Sequence, residues 1–216
     1  MNTVHYICSV LMIMGVTDRK EREKTEMREL IRASAMKMFL EDGYAKTSIR
    51  SIAEAIEYSP GTIYLYFKDK DELLYEVQGE AYGQLLEVFK KEATSTDPLE
   101  KLRQVGRAYI NFGLQNPELY DLMFIIRAPM NVDEEIHKAN GGNCFAFLVD
   151  CLNDCISKDL LRLTDLQQAS LLIWSTAHGL VSLNLRCRLK IMDQAEEAIP
   201  QILIKSMEDY LAAVTK

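Results

Sequence analysis

The stretch YAKTSIRSIAEAIEYSPGTIYLYFKDKDELL, residues 44–74, decides the fold because it contains the start signals of two short helices. Thr47 is predicted to cap the first, over 47–55, and Ser59 to cap the second, over 60–66. Two helices of this length are too small to form a core alone, so they must pack on a neighbouring helix. The arrangement predicts a helix-turn-helix, in which the second helix enters the major groove of DNA.

The outward side chains of these two helices have the chemistry that contacts to DNA require. Ser48 and Arg50 are expected on the outer edge of the first helix, and Thr62, Tyr64 and Tyr66 on the outer side of the second. Hydroxyl and guanidinium groups donate hydrogen bonds to phosphates and to base edges. The alternative for the two tyrosines is packing, because aromatic residues at helical spacing also fill cores.

The residues on either side of this stretch predict the helices that support it. Apolar side chains recur at helical spacing behind a charged lead and stop at Gly43, the residue type best suited to a left-handed position after a helix. This pattern predicts a first helix over 19–42. Asp69 and Glu72 form a capping arrangement before a long amphipathic helix.

The rest of the chain also predicts helices, and no alternating strand pattern of convincing length occurs in it. Two helices are expected to start at Asp97–Pro98 and at Asn116–Pro117. A third covers 133–158, with an interruption at Gly141–Gly142, and a fourth covers 165–187 behind a capping box at Thr164. The last covers 194–214 behind a start signal at Asp193, and Pro200 kinks or restarts it. The predicted fold is all-α with about nine helices: an N-terminal three-helix helix-turn-helix domain followed by a helical bundle.

The N-terminal residues 1–17 are predicted to be a disordered tail or a start-site extension, with translation beginning at Met12 or Met14. Their apolar run follows no Lys or Arg and precedes no small-residue cleavage motif, unlike a signal peptide. No apolar run in the chain reaches the ~18 residues of a membrane span. The five cysteines, an odd number, are typical of reduced thiols. We therefore expect a cytoplasmic protein without a membrane partner.

The charge is unevenly distributed along the chain, which matters because a net charge of −7 at first argues against nucleic acid. Residues 18–70 carry 11 Lys+Arg and 10 Asp+Glu, a net of +1, whereas 71–216 carry 14 and 22, a net of −8. The acidity therefore belongs to the C-terminal part. Affinity for DNA is expected to depend on a few placed cations: Lys46, Arg50, Lys68 and Lys70.

Seventeen positions agree in type and spacing with one known family. They are Thr47-Ser48-Ile49-Arg50, Ile52-Ala53, Ser59-Pro60-Gly61-Thr62-Ile63-Tyr64, Tyr66-Phe67, Lys70 and Leu73-Leu74. On these residues the chain resembles, over about 19–75, the DNA-binding domain of the tetracycline-repressor (TetR) family of bacterial transcription regulators. Where relatives usually have Gly-Val in the turn, this chain has Glu57-Tyr58.

The resemblance implies a DNA-binding role for nine residues. They are Thr47 and Ser48 on phosphates, Arg50 on a base edge or phosphate, Gly61, Thr62 and Tyr64 in the recognition helix, Tyr66 and Lys70 as phosphate clamps, and Ser59 at the helix start. One helix-turn-helix touches only a few base pairs, so we expect a homodimer on a palindromic double-stranded operator with half-sites ~34 Å apart.

The C-terminal region 71–216 contains no catalytic motif. We therefore do not expect an enzyme, a cofactor or a metal. Its segment 174–180, WSTAHGL, resembles the Trp-His-Gly signature of one type of TetR-family effector domain, and 116–124 resembles the helix-6 motif of the same class. The resemblance implies a domain that binds a small-molecule effector. The expected ligand-binding residues are Phe112, Tyr120, Phe124, Cys151, Trp174 and His178.

Two features of this region have a structural alternative. Trp174 and His178 lie four residues apart on one helix face. The alternative to direct contact with a ligand is a buried Trp beside a hydrogen-bonded core His. Cys144, Cys151 and Cys155 share one face as well, which buried small apolar residues explain, a thiol sensor or soft-metal site being the other possibility.

The last two long helices, over 165–187 and 194–214, are expected to form the dimer interface. Their candidate stripes mix apolar and small residues, which suits close packing between two chains: Leu171, Ser175, His178 and Ser182, with Ile199, Ile202, Leu203, Ser206 and Tyr210. The predicted domains are thus 18–70 for DNA binding and 71–216 for effector binding and dimerisation.

The sequence therefore predicts a dimeric, sequence-specific DNA-binding transcriptional regulator, a repressor that a small-molecule effector releases. Two other functions stay open. One is a thiol- or metal-responsive regulator of the same fold, and the other is a helical interaction module that has lost DNA binding, for which Glu57-Tyr58 and the weak net charge are the support.

Overall fold

The protein is all-α, as predicted. The computed structural model describes residues 3–126 and 141–216, with side chains from residue 19 onward. Within these residues the only β-structure is one isolated bridge between Leu161 and Thr215. The nine α-helices of the described chain are α1 Thr3–Glu41, α2 Ile49–Ala55, α3 Pro60–Tyr64, α4 Lys70–Glu92, α5 Pro98–Gln115, α6 Pro117–Tyr120, α7 Gly142–Ser157, α8 Leu166–Leu185 and α9 Ile199–Val214.

Three short pieces complete the secondary structure of the described residues: a π-helical turn, Asp121–Ile125, continues α6, and two 3₁₀ turns, Arg188–Met192 and Glu196–Ala198, separate α8 from α9. Among the described residues, no helix combines the length and the apolar character that crossing a membrane demands. The predicted helix over 133–158 lies partly in 127–140, outside the described residues.

The chain divides into two compact units, residues 1–77 and 78–216. The N-terminal unit extends through the first turns of α4, where Leu73, Leu74 and Val77 are buried. Helix α4 therefore begins in the first unit and ends in the second. The domain limits at 18–70 and 71–216 stay a prediction.

Helix α1 ends where the sequence predicts and begins earlier. Gly43 has φ +86°, the left-handed conformation expected just after the helix. Ile31, Ala35 and Phe39, each four residues apart, are fully or almost fully buried and form the face on which α2 and α3 pack. The helix starts at Thr3 rather than near 19, so it includes most of 1–17, where a disordered tail or start-site extension was expected.

The cap of α2 corrects one prediction. Ser48, not Thr47, is the N-cap: its Oγ accepts from the Ser51 N–H at 3.0 Å, and the Ser51 Oγ accepts in return from the Ser48 N–H at 2.9 Å. This reciprocal pair is a capping box with Ser in place of the usual Glu or Gln. Thr47 instead lies in the core, only 3% exposed.

The turn between α2 and α3 keeps a left-handed residue although it has no glycine. Glu57 has φ +61°, and the Tyr58 N–H donates to the Ala53 carbonyl oxygen at 2.9 Å, which closes the turn. A residue with a Cβ is strained by about 1–2 kcal/mol in this conformation. The helix-turn-helix geometry is therefore kept at the expense of local strain at Glu57.

Helix α5 is the centre of the C-terminal unit, and α7, α8 and α9 all pack against it. Leu102, Ala108 and Ile110 of α5 are almost completely buried. At Gly113 the Val181 side chain of α8 lies so close to the α5 backbone that a Cβ would be 2.6 Å from the Val181 Cγ1, so only glycine fits there.

The starts of the later helices test the cap predictions. Asp97 accepts from the Glu100 N–H at 3.0 Å ahead of Pro98, as expected. For α8 the cap is Asp165, whose carboxylate accepts from the Gln168 N–H at 2.7 Å, so the prediction of Thr164 was wrong. Asp193 has φ +51° and begins no α-helix, whereas Pro200 stands in the first turn of α9, the restart that was one of the two expectations.

We expect Glu57→Gly to raise the free energy of unfolding by up to about 1 kcal/mol. Glycine relieves the left-handed strain, and its greater freedom in the unfolded chain offsets part of the gain. Urea unfolding measures the change. Glu57→Ala is the matched control, because it removes the same charge but keeps a Cβ; equal gains in both variants would show that charge, not backbone strain, is responsible.

Candidate functional site

The start of α3 is ordered by its own hydroxyl groups. The Ser59 Oγ accepts from the Thr62 N–H at 3.2 Å and shares a hydrogen bond with the Thr62 Oγ1 at 3.1 Å. Pro60 follows at the first helical position, where no N–H is needed. Ser59 is therefore the cap that was predicted, and its interaction with Thr62 fixes the first turn of the helix.

Helix α3 separates an apolar face from an exposed one. Ile63 and Phe67 are almost fully buried, whereas Tyr64 is 56% exposed and Gly61 is exposed as well. Tyr66 is half-buried. The side predicted to face DNA is thus the side that the N-terminal unit leaves uncovered, and Tyr64 does not serve as a packing aromatic.

Helix α2 adds a hydroxyl and a cation to the exposed surface. Ser48 is exposed, and the Arg50 side chain is 81% exposed, with its Nε 3.0 Å from the Glu54 carboxylate. An exposed pair of this kind contributes little to stability, so the guanidinium can exchange Glu54 for another anion at small cost. Thr47 does not belong to this surface, because its hydroxyl lies 3.0 Å from the Gly43 carbonyl oxygen inside the unit.

Lys70, predicted as a phosphate clamp, already has partners. Its Nζ donates to the Tyr44 carbonyl oxygen and lies 3.9 Å from the centre of the Tyr44 ring. The Tyr44 hydroxyl in turn donates to the Asp71 carboxylate at 2.5 Å. Burial lowers the pKa of Lys70. An ammonium has three donors, so the bond to Tyr44 orients Lys70 and leaves two donors for a second acceptor.

Arg28 of α1 fixes the chain at the end of α3, a role that the sequence did not predict. Its Nη1 donates to the Tyr66 carbonyl oxygen at 2.7 Å, its Nη2 pairs with the Glu76 carboxylate at 2.7 Å, and its guanidinium lies 4.4 Å from the centre of the Phe67 ring. One side chain therefore joins α1, the residues after α3, and α4. Its partners lie 38 and 48 residues further along the chain, beyond the reach of local patterns.

The C-terminal unit contains a cavity of about 290 Å³. This volume is at the lower end of the range for small-molecule sites. Its wall is formed by α4, α5, the end of the α6 segment, α7, α8 and α9 and consists largely of aliphatic and aromatic side chains. The aromatic residues are Tyr82, Phe89, Tyr109, Phe124, Phe145 and Trp174. Two of the predicted ligand residues, Phe124 and Trp174, thus line it.

The other predicted ligand residues lie outside the cavity wall. Tyr120 and His178 are joined to it through Tyr109, whereas Phe112 and Cys151 are buried elsewhere in the core. Tyr109, which sequence reasoning did not select, is on the same buried face of α5 as other large apolar residues. No local signal separates a residue that lines a cavity from one that fills the core.

A chain of hydrogen bonds runs from the cavity wall into the core. The Tyr109 and Tyr120 hydroxyl oxygens are 3.0 Å apart, and the Tyr120 hydroxyl lies 2.7 Å from the His178 Nδ1. The tautomer of His178 sets the direction of this chain: when Nδ1 accepts the single hydrogen of Tyr120, Tyr109 donates to Tyr120. His178 is thus hydrogen-bonded in the core, as the structural alternative held.

Burial controls the protonation of this chain. It raises the pKa of Tyr109 and Tyr120 well above the ordinary tyrosine value and lowers the pKa of His178. Both phenols therefore stay protonated at neutral pH, and His178 stays neutral. The chain is a fixed set of dipoles at the edge of an apolar cavity rather than a charged site.

The three clustered cysteines are buried free thiols. Burial raises the pKa of Cys144, which lines the cavity, to about 12 and that of Cys155 to about 11. A protonated thiol is a poor nucleophile and a poor metal ligand, so these positions favour the packing interpretation. In residues 19–126 and 141–216, whose side chains the structure describes, no three His, Cys, Asp or Glu side chains are grouped as a metal ion would need.

The stripes predicted for a dimer interface are only partly exposed. On α8, Leu171 is 61% exposed and Ser175 is exposed too. Three predicted members face the core of their own unit instead: His178 is bonded to Tyr120, and Ile199 and Leu203 are buried. The exposed apolar surface of α8 also includes Leu172 and Leu183, which were not predicted.

Family models match both parts of the chain. Residues 31–77 match the model described as bacterial regulatory proteins, tetR family, and residues 102–207 match the tetracyclin repressor-like C-terminal domain. The first range contains the helix-turn-helix and the second contains most of the cavity wall.

The curated proteins that this chain resembles include a transcriptional regulator and an operon repressor. The chain is 36% identical over 99 residues to the HTH-type transcriptional regulator HbdR of Aromatoleum sp., an alignment that covers 44% of this chain and 41% of that protein. It is 29% identical over 97 residues to a probable acrEF/envCD operon repressor of Escherichia coli, covering 43% and 44%. The chain spans about half the length of the curated relatives it matches.

The fold as a whole has solved counterparts. A protein of unknown function from Rhodococcus sp. RHA1 superposes with a TM-score of 0.72 at 18% identity, covering 88% of this chain and 95% of that one. At this identity the likeness shows the fold alone.

We expect acidification to destabilise the protein through His178. Its folded-state pKa lies below the ordinary value of 6.5, so the unfolded chain binds more protons as the pH falls below about 6.5, and stability falls with it. Between about pH 7.5 and about pH 5.5, the thermal midpoint of the wild-type protein should fall further than that of His178→Gln. Equal falls in the two proteins would exclude His178 as the cause.

Proposed function

The chain belongs to the tetR family of bacterial regulatory proteins, and on that premise we propose that it is a homodimeric transcriptional repressor that a small-molecule effector releases from a palindromic operator. The observation that carries this proposal is the exposed face of α3, where Tyr64 projects into solvent while Ile63 and Phe67 anchor the helix. The likeness to an operon repressor supports repression as the direction of control.

The proposed contacts to DNA fall into two groups. Ser48, Arg50, Tyr66 and Lys70 bind phosphates, which position the protein without reading sequence. Gly61, Thr62 and Tyr64 face the base edges, since they occupy the exposed side of a helix that fits the major groove. The Thr47 hydroxyl is excluded from the set because it is bonded to backbone carbonyl oxygens of its own unit.

The proposed dimer forms through α8 and α9. The exposed leucines of α8, Leu171, Leu172 and Leu183, supply apolar surface, and a Cβ added at Gly179 meets no neighbour within 4 Å. A second helix can therefore approach closely at Gly179. On α9, Ile202, Ser206 and Tyr210 are half-buried and complete the face. Two chains related by a two-fold axis match the symmetry of a palindromic operator.

We propose that the effector occupies the cavity of the C-terminal unit, which makes this unit a domain of the Trp-His-Gly type. Trp174 lines the cavity, and His178 supports Tyr109 through Tyr120. The described wall favours a small, largely apolar ligand with one polar group, because it is mainly aliphatic and aromatic and the Tyr109 side chain carries a hydroxyl group.

Helix α4 is the proposed link between effector and operator. Tyr82, Leu85 and Phe89 of α4 line the cavity, and the same helix begins at Lys70, next to the recognition helix in sequence. An effector that displaces α4 changes the distance between the two recognition helices of the dimer. Because the DNA sets the half-site spacing, a small displacement weakens binding strongly. We place this function in the cytoplasm.

Tyr64→Ala is expected to lower the affinity for the operator by about 10- to 100-fold while leaving the helical fold intact, because it removes a base-edge contact from an exposed position. The operator is found by gel shift with the DNA that flanks the gene and by selection from random duplexes. Far-UV circular dichroism checks the fold.

Tyr58→Ala is the matched control, an exposed tyrosine of the same unit that has no assigned contact; it should bind like the wild type. Binding should weaken steeply between about 50 and about 200 mM salt, since phosphate contacts release counterions. If no duplex is bound in a sequence-specific and salt-sensitive manner, the proposed function is wrong.

Ala177→Leu is expected to reduce binding in the cavity at least about tenfold, because the added carbon atoms occupy space that a ligand needs. The probe is N-phenyl-1-naphthylamine, a neutral apolar molecule whose fluorescence rises on burial. Ala146→Leu, which adds the same atoms at an exposed position of α7, is the control. Equal titrations for the wild type and both variants would place the probe outside the cavity.

A further inference from the structure

The recognition segment lacks the side chains that read bases most strongly. Residues 60–67, PGTIYLYF, contain no Arg, Lys, Asn, Gln, Asp or Glu. Those six types make the paired or strong contacts to guanine, adenine and cytosine in the major groove. The segment therefore offers only hydroxyl groups and apolar carbon atoms to a base edge.

Among the apolar residues of this segment, Leu65 has no role in the fold. It is 79% exposed, the highest value of any large apolar side chain described in the N-terminal unit. A leucine left in water forgoes the stabilisation that burial of its side chain would give. Its neighbours in sequence are different: Tyr64 carries a hydroxyl, and Tyr66 is held at its carbonyl oxygen by Arg28.

The position of Leu65 is fixed although its side chain is free. It is the C-cap of α3, with helical backbone angles of φ −75° and ψ −18°, and its N–H donates to the Thr62 carbonyl oxygen at 3.2 Å. Ile63 and Phe67 on either side are buried. A side chain on such an anchored backbone presents the same carbon atoms to every partner that approaches α3.

The major groove contains one apolar group, the 5-methyl of thymine. The surroundings of Leu65 favour DNA over a protein partner, because the exposed side chains near it in sequence are Tyr64 and the cation Lys68 rather than further apolar residues. We propose that Leu65 is a specificity-determining residue that packs on a thymine 5-methyl group in each half-site. The proposal rests on the proposed function, since it needs a DNA-binding protein.

The consequence for the operator is specific. Each half-site contains an A·T pair at the position that Leu65 covers, with the thymine methyl directed at the side chain. The contact is apolar and involves no phosphate, so it contributes selectivity without changing the salt dependence of binding.

The test removes only the methyl group. Once the operator has been selected from random duplexes, each thymine is replaced in turn by deoxyuridine, symmetrically in both half-sites, and the affinities of wild type, Leu65→Ala and Leu30→Ala are measured. Leu30 is exposed on α1 and lies in no proposed contact, so it is the matched control.

We expect one position at which uracil weakens wild-type binding about fourfold per half-site, the equivalent of the ~0.8 kcal/mol of a buried methylene-sized group. Leu65→Ala should bind both DNAs equally at that position, whereas Leu30→Ala should keep the wild-type difference. This coupling distinguishes a methyl contact from a general loss of affinity.

Other results overturn the proposal in separable ways. Sequence-specific binding without any uracil-sensitive position that depends on Leu65 contradicts the inference and leaves the proposed function intact. A change in oligomeric state in Leu65→Ala, measured by sedimentation, together with unchanged uracil sensitivity, assigns Leu65 to a protein contact instead. Absence of any sequence-specific binding by the wild type removes the proposed function and the inference with it.

Discussion

A helix of five residues cannot hold its own orientation in water, and the function proposed here depends on how α3 is held. Ile63 and Phe67 bury its inner face, and Arg28 fixes the chain just beyond its end through the Tyr66 carbonyl oxygen. The same guanidinium pairs with Glu76 and lies against the Phe67 ring. The exposed side chains of α3 can read DNA only because their backbone is supported by contacts that do not themselves touch it.

The C-terminal unit uses a different arrangement, in which the core and the cavity share one helix. The buried face of α5 contributes Leu102 and Val105 to the cavity wall, and Ile110 to the solid core further along. The Tyr109, Tyr120 and His178 side chains form one hydrogen-bonded chain in this apolar region. Such a chain adds a hydrogen-bonding edge to the cavity without a buried charge.

Much of the fold could be predicted because helix starts depend on local chemistry. Pro98, Pro117 and Pro200 stand in the first turns of their helices, and Gly43 is left-handed where the pattern of α1 ends. The exposed side of α3 could be predicted for the same reason, since helical spacing alone separates Tyr64 from Ile63; that this side contacts DNA stays a prediction.

The predictions of a cap residue and of a cavity-lining residue were wrong where two nearby residues had similar chemistry. In those places, contacts with residues distant in sequence determine which residue has the role. Thr47 and Ser48 are both good N-cap residues, but Ser48 caps α2 because the Thr47 hydroxyl is already bonded to backbone carbonyl oxygens at the end of α1. Phe112 and Tyr109 lie on the same helix, yet only Tyr109 reaches the cavity. The conformation of Glu57 is also determined by the surrounding structure, because the turn keeps a left-handed backbone there although a residue with a Cβ disfavours it.

The close approach at Gly113 has a consequence for how the cavity can respond to an occupant. The Val181 side chain of α8 lies against the α5 backbone with no room even for a Cβ, so the two helices cannot move closer together at this point. An occupant larger than the resting space therefore has to displace other parts of the wall, among them Tyr82, Leu85 and Phe89 of α4. Movement of that helix would extend to Lys70, where α4 begins in the N-terminal unit.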